Sequence, residues 1–382
     1  MKIVIAPDSF KGSMSSVEAA SAIEKGILRA FPEAKTILLP VGDGGEGTLE
    51  TLVSSTNGYT VPVNVTGPLG DRVLAEYGVL GDGETCVIEM AKASGLALVP
   101  PSQLNPLKAT TYGTGELIKQ ALDDGYQSFI LAIGGSATND GGAGMLQALG
   151  LKLLDADSNE IDFGGAELRK VAIIDMLSFD ARIADCKFLI ASDVQNPFIG
   201  PNGASSVFGP QKGASPEDVE FLDACLSNFA DVILKTTGIH IHNLPGAGAA
   251  GGIGGAFQAF FPAMMRRGID VVIEYTRLNH LVEGADLVIT GEGKVDFQTA
   301  SGKTPMGVAQ VAQSKNIPTI ILAGSVGKGI DALYQHGVVS VHSIINRPMD
   351  LNEAMEKAGE LAEFAAEQMV RSFFYQRKLI GN

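Results

Sequence analysis

Apolar and polar positions along the chain fall into a repeated pattern. The apolar run Phe129-Ile-Leu-Ala-Ile133 breaks into two glycine pairs, with Ser136, Thr138, Asn139 and Asp140 between them. The run predicts a parallel strand buried on both faces, and the glycines after it let backbone N–H groups approach an anion. A tight strand-to-helix turn without a ligand uses the same residue types, so one such loop decides little. Five further runs end the same way: Ile3 to Ala6 into Pro-Asp-Ser-Phe-Lys-Gly, Ile37 to Pro40 into Val-Gly-Asp-Gly-Gly-Glu-Gly, Phe188 to Ala191 into Ser-Asp-Val-Gln-Asn-Pro, Leu287 to Thr290 into Gly-Glu-Gly-Lys-Val-Asp, and Ile320 to Ala323 into Gly-Ser-Val-Gly-Lys-Gly. In open α/β sheets ligands bind at the carboxyl ends of the strands. The pattern therefore predicts one crevice shared by these loops, and that crevice is the expected active site.

Helical periods separate the runs. Ser15-Ser-Val-Glu18 has capping-box spacing and opens a stripe through Val17, Ala20, Ile23, Ile27 and Phe31, which Pro32 ends. Alternating segments around Thr60–Val65 and Val73–Leu80, joined by Gly67-Pro-Leu-Gly70, read as a hairpin. Gly115 to Asp124 reads as a helix with Gly125 beyond its end, and Ser215-Pro-Glu-Asp218 starts a helix closed by Gly238. βα alternation returns in the last hundred residues, and Met355, Ala358, Ala362, Ala365 and Met369 mark a C-terminal amphipathic helix. The expected organisation is a discontinuous parallel-sheet domain, 1–62 and 286–382, around an inserted mixed-sheet α/β domain, 63–285, with residues 128–150 fitting either.

At 382 residues two domains are the default, and 45% hydrophobic content with 47 glycines describes a loop-rich globular chain. A net charge of −15 argues against nucleic acid or an anionic membrane as partner. Cys86, Cys186 and Cys225 lack CxxC spacing, which points to core thiols in a reducing compartment. A strand begins by Ile3, leaving no room for a secretory segment, and no run of about 18 apolar residues occurs, so a soluble cytoplasmic protein is expected. The oligomeric state is left open.

Among the motifs, Gly246-Ala-Gly-Ala-Ala-Gly251 fits a dinucleotide fingerprint, but Asn243-Leu-Pro245 is a poor strand ending and Pro262 interrupts the helix after it. Gly302-Lys-Thr304 lacks the glycine that a P-loop needs at position 297, where Phe297 stands. The histidines, at 240, 242, 280, 336 and 342, form no HExxH and no acid-paired cluster. The carboxylates say more. Asp8, Asp43, Glu46, Asp140, Asp193, Glu292 and Asp296 all fall in loops just after predicted strands. One such carboxylate is usually a turn former, but the set would repel itself unless protonated or neutralised, and oxygen ligands beside phosphate-binding loops suit Mg²⁺. Lys11 and Lys294 lie in two of the same loops and can meet phosphate oxygens. The combination indicates Mg-dependent phosphoryl transfer on a fold other than the P-loop type.

Ala6-Pro-Asp-Ser-Phe-Lys-Gly, Asp43-Gly-Gly-Glu-Gly, Val87-Ile-Glu-Met-Ala, Gly113-Thr-Gly-Glu, Ile133-Gly-Gly-Ser-Ala-Thr-Asn-Asp-Gly-Gly, Ser192-Asp-Val-Gln-Asn-Pro, Phe208-Gly-Pro-Gln-Lys-Gly, Gly246-Ala-Gly-Ala-Ala-Gly-Gly and Thr290-Gly-Glu-Gly-Lys-Val-Asp, in this order, closely resemble the signature segments of the bacterial type I glycerate kinases. The resemblance implies a flavodoxin/Rossmann-like domain, a second α/β domain similar to the restriction-endonuclease core, and transfer of phosphate from ATP to D-glycerate, favouring the 2-phosphate. Lys294 departs from the Arg usual in that family after Gly-Glu-Gly; it keeps the charge and loses the bidentate fork.

On this reading Gly134, Gly135, Ser136, Thr138 and Gly141 cradle phosphate together with Lys294. Asp193 serves as base or Mg²⁺ ligand. Asp43, Glu292 and Asp296 are metal or hydroxyl partners, Lys11 contacts phosphate or carboxylate, and Asp8, Ser9, Asp43 and Asn196 hold substrate. Two other classes stay open at this point: an NAD-dependent hydroxyacid dehydrogenase built on Gly246 to Gly251, and a non-catalytic organic-acid-binding protein.

Overall fold

The computed structural model describes residues 1–300 and 302–375, so residues 376–382 of the expected discontinuous domain lie outside the described ones. Its strands run β1 Lys2–Pro7, β2 Lys35–Leu38, β3 Tyr59–Thr66, β4 Arg72–Val79, β5 Thr85–Glu89, β6 Ser128–Ala132, β7 Lys152–Leu154, β8 Ile173–Asp175, β9 Lys187–Ala191, β10 Ala263–Arg266, β11 Leu287–Val295, β12 Thr319–Val326 and β13 Val338–Ser343. The chain divides into two compact units, Met1–Asp43 with Ile269 onward, and Gly44–Gly268.

The first unit holds an all-parallel sheet in the order β13-β12-β11-β1-β2. Alternation along the strands sends side chains to two layers. Ile3, Ile5, Leu287, Ile289, Ile320 and Leu322 meet the helices Ser16–Ala30 and Ala358–Phe373, while Ile321 and Ala323 meet Met306 and Ala309 of the helix Thr304–Ser314. Those two outer helices cross closely: a Cβ at Gly26 would lie 2.1 Å from the carbonyl oxygen of Glu363. Ser15 and Glu18 form the predicted capping box at the start of Ser16–Ala30.

In the second unit the sheet order is β10-β9-β6-β5-β4-β3. Pairing is parallel from β10 to β5 and antiparallel from β5 through β3, so the sheet is mixed. β3 and β4 are the predicted hairpin. β7 and β8 make a small antiparallel pair of their own. The helix Pro216–Thr237 has its Ser215/Asp218 capping box and ends at Gly238, whose φ is 76°. Cys86, Cys186 and Cys225 are buried free thiols, as the composition suggests.

Two expectations about elements are corrected. β11 and β12 run on through Val295 and Val326, past the glycines that were expected to end them. Glycine is tolerated there because the neighbour is close: a Cβ at Gly291 would lie 2.1 Å from the carbonyl oxygen of Leu322. The helix Thr48–Thr56 belongs with the second unit, against an expected boundary at 62/63. Leu49 and Val53 of that helix abut Gly78 of β4, and Glu89 at the end of β5 accepts the N–H groups of Gly47 and Leu49 at 3.0 and 3.1 Å. The other division falls at Gly268/Ile269, against an expected 285/286, where Ile269 packs on Gly307 of Thr304–Ser314.

Candidate active site

In the first unit the carboxyl ends of β1 and β11 open on a cavity of about 620 Å³ whose polar lining includes Asp8, Ser9, Lys11, Asp43, Glu292 and Lys303. Asp8 leaves β1 with its N–H on the Gly291 carbonyl at 2.8 Å, which keeps the loop in register with β11. Its Oδ1 accepts the Ser9 N–H at 2.6 Å. Burial, with the Asp43 charge added, pushes the Asp8 carboxyl up to about 7. Lys11 is exposed and stands 3.5 Å from Asp43 Oδ2, and that carboxylate holds its ammonium above the usual range.

Glu292 lies within β11 rather than in a loop, which corrects the sequence expectation. Its Oε1 accepts the Thr299 hydroxyl, and burial lifts its carboxyl above the ordinary value. Lys294, two residues on and therefore on the same strand face, places Nζ 3.0 Å from Asp296 Oδ2. That contact, with the Gln298 N–H behind it, holds Asp296 below the usual carboxylate range. Asp8, Ser9, Lys11, Asp43, Glu292 and Lys294 thus share one cavity lining, with Asp296 beside Lys294. The lining also has apolar members, Phe10, Ile344, Met349, Leu351 and Met355.

The remaining candidates belong to the second unit. The Gly134 N–H donates to the Gly44 carbonyl at 3.2 Å, and Gly44, at φ 85°, passes so close to β9 that a Cβ would lie 2.7 Å from the Ala191 carbonyl oxygen. The loops after β6 and β9 and the segment 44–47 therefore gather at one end of the mixed sheet. Of the glycine loop, Gly134 is half-buried and Gly135 exposed, whereas Ser136, Thr138 and Gly141 are buried. Asp140 is turned inward, against its expected place in the crevice. It accepts the N–H and hydroxyl of Thr111 and the N–H groups of Gly142 and Gly144. Asp193 is exposed, with Oδ1 accepting the Gly268 N–H at 2.9 Å. Asn196 clasps its own loop through Nδ2 and the Asn202 carbonyl at 2.8 Å.

The Gly246–Gly251 segment follows turn residues and not a strand. Gly251 has φ 73°, and a Cβ there would lie 2.0 Å from the Thr138 carbonyl oxygen. These glycines serve close backbone packing, and the strand-turn-helix setting of a dinucleotide fingerprint is missing.

The glycerate kinase family model matches residues 3–374. The chain belongs to the glycerate kinase family. It is 51% identical over 372 residues to a protein of Bacillus subtilis (strain 168) named glycerate kinase, covering 97% of both. A protein of Escherichia coli (strain K12) named glycerate 2-kinase is 50% identical over 358 residues, covering 94% of both. A crystal structure of a candidate glycerate kinase 2 from Salmonella typhimurium LT2 superposes with TM-score 0.87 at 49% identity, covering 99% of both chains.

As a member of the glycerate kinase family, the chain carries two lysines and a glutamate that the sequence left without a role. Lys303 lines the cavity from the start of Thr304–Ser314, where a failed P-loop match was the visible signal. Lys212 is fully buried under the glycine loop, and Glu89 ties β5 to the 47–49 segment. Both lie inside quoted signature segments. Among the described residues no group of three or more His, Cys, Asp or Glu side chains is gathered to hold a metal. Mg²⁺ commonly takes only one or two carboxylates beside substrate phosphates, so the oxygen donors of Asp43 and Glu292 fit it chemically. Among the described residues no helix is long and apolar enough to cross a membrane.

Proposed function

We propose that this enzyme transfers the γ-phosphoryl group of ATP to D-glycerate with Mg²⁺, giving 2-phosphoglycerate. The observation that carries the reading is the first-unit cavity, where carboxyl groups raised by burial and exposed lysines meet at the carboxyl ends of two parallel strands in a chain about half identical to proteins named glycerate kinase.

Asp43 and Glu292 would hold Mg²⁺, which when bound offsets phosphate charge. The rest falls to the chain. Lys11 and Lys294 meet phosphate or carboxylate oxygens as point charges on flexible stems. The Gly135 N–H and the Ser136 hydroxyl face anionic oxygen, while Gly134, whose N–H is held by the Gly44 carbonyl, supports the loop together with Thr138 and Gly141. Asp8, Ser9 and Asn196 contribute to holding glycerate. Asp193, exposed after β9, accepts the glycerate hydroxyl proton, and Asp296 steadies Lys294. In phosphoryl transfer most of the acceleration comes from positioning and charge neutralisation, which is the work such residues do. The buried free thiols favour a reducing, cytoplasmic setting.

ADP release from ATP, measured with and without D-glycerate and with and without excess EDTA, tests the reading. Release that needs both glycerate and divalent metal is expected; glycerate-independent release at the same rate, or full activity in EDTA, overturns it. A phosphorus NMR spectrum of the product checks the position of the phosphate, and 3-phosphoglycerate alone would refute the 2-hydroxyl assignment.

A further inference from the structure

Lys212 is 1% exposed, and its Nζ donates to Ser136 Oγ at 2.7 Å and to the Thr138 carbonyl at 2.6 Å. A buried ammonium is costly unless paired, and neither acceptor is charged. The carboxylate that acts on it, Asp140, already accepts four hydrogen bonds from Thr111, Gly142 and Gly144. Packing alone would be served by an apolar side chain of similar length.

The direction of the Lys212–Ser136 bond has a chemical result. Because Ser136 Oγ accepts from Lys212, the hydroxyl's own proton points elsewhere, and no hydrogen bond from it to an acceptor is found among the described residues. Ser136 adjoins Gly135, which is exposed at φ 78°. Two further polar atoms of this loop, Thr138 Oγ1 and Asn139 Oδ1, are buried with no hydrogen-bond partner among the described residues, a state native structures seldom leave unsatisfied.

We propose that Lys212 is a positioning residue, which polarises the Ser136 hydroxyl and aims its proton at an anionic oxygen bound over Gly134 and Gly135. The inference rests on the kinase reading above, and the oxygen belongs to a phosphate of ATP or to the carboxylate of glycerate. Burial brings Lys212 down to about 7, so a bound anion also favours its charged form.

Calorimetric titration of the full chain with ATP, and separately with D-glycerate, tests this in wild type, Lys212→Met, Ser136→Ala and the double variant, with a thermal melt of each. The two single variants should each weaken one ligand about tenfold or more, and the ligand affected names the source of the oxygen. The double variant should be no more than about twofold weaker than the worse single, because the two residues act as one unit. A purely structural lysine predicts a lower melting temperature and unchanged affinity in the folded protein. If Lys212→Met does not fold, Ser136→Ala decides alone: a tenfold loss supports the proposal, and wild-type affinity for both ligands overturns it. Losses that multiply in the double variant also overturn it, as does a wild type that binds neither ligand. A wild type that binds both yet releases no ADP sinks the kinase reading instead, and the same titrations still judge Lys212.

Discussion

Thr111 gives both of its donors to one oxygen of Asp140, the backbone N–H at 2.8 Å and the hydroxyl at 2.8 Å. The other oxygen of Asp140 takes the Gly142 N–H at 3.1 Å, so this carboxylate ties the start of helix Tyr112–Asp123 to the glycine loop. Asparagine at 140 would turn one acceptor into a donor facing donors. Asp140→Asn is expected to lower stability by about 2–4 kcal/mol in urea unfolding, the range for a broken buried network, while turnover per folded molecule stays within a few-fold. Normal stability with lost turnover would return Asp140 to the reacting groups.

Asp8 supplies a pH dependence with a definite sign. Its carboxyl titrates near 3.8 unfolded and about 7 folded, so between those values the unfolded chain has released a proton that the folded chain keeps. Its contribution to stability is therefore full at low pH, falls as pH rises from about 4 to 7, and is flat above that. Asp8→Asn should melt above wild type at pH 8, and the gap should close towards pH 4. Parallel melting curves for the two proteins across pH 4–8 would contradict the raised carboxyl.

Much of this was legible because the signals are local. The capping pairs Ser15/Glu18 and Ser215/Asp218 sit three residues apart, and Asp8 follows β1 directly while Asp43 lies a few residues past β2, so strand ends can be matched to carboxylates. Glu292 reads as a loop residue from sequence because Gly291 and Gly293 show no side-chain alternation, although β11 pairs with β12 at Gly291, Glu292 and Lys294. β10 carries no sequence signal, because its four residues after Pro262, with Met264 exposed, show no clear period. Lys212 and Ser136 are 76 positions apart, and nothing in either segment announces the other. The same holds for Glu89 and Gly47, whose bond decides where the helix Thr48–Thr56 belongs.

Gly251 tests the dinucleotide alternative from the side of packing. Its φ of 73° disfavours any side chain, and a Cβ would press on the Thr138 carbonyl at 2.0 Å, where its own carbonyl also accepts the Gly141 N–H at 2.9 Å. Gly251→Ala is expected to cost about 3 kcal/mol or more and to disturb the glycine loop. Nicotinamide fluorescence titrations of wild type should show no saturable NADH binding. Saturable binding that Gly251→Ala abolishes in a folded protein would reinstate the fingerprint.

Asp193 follows β9, and Pro197 biases Asn196 towards extended backbone, so the chain leaves the strand end without entering a helix. The carboxylate is exposed, and its Oδ1 accepts the Gly268 N–H at 2.9 Å. Asparagine keeps an oxygen for that N–H and removes the charge, so Asp193→Asn separates structure from chemistry. If Asp193 takes the glycerate hydroxyl proton, turnover should fall about 10²–10⁴-fold with a melting temperature close to wild type. A turn former would behave in the opposite way, losing about 1 kcal/mol of stability with near-normal turnover. Turnover and thermal midpoint measured on the same purified sample decide between the two. Activity recovered at high Mg²⁺ would move Asp193 from base to metal ligand, because a weakened site can be refilled by mass action whereas a missing base cannot.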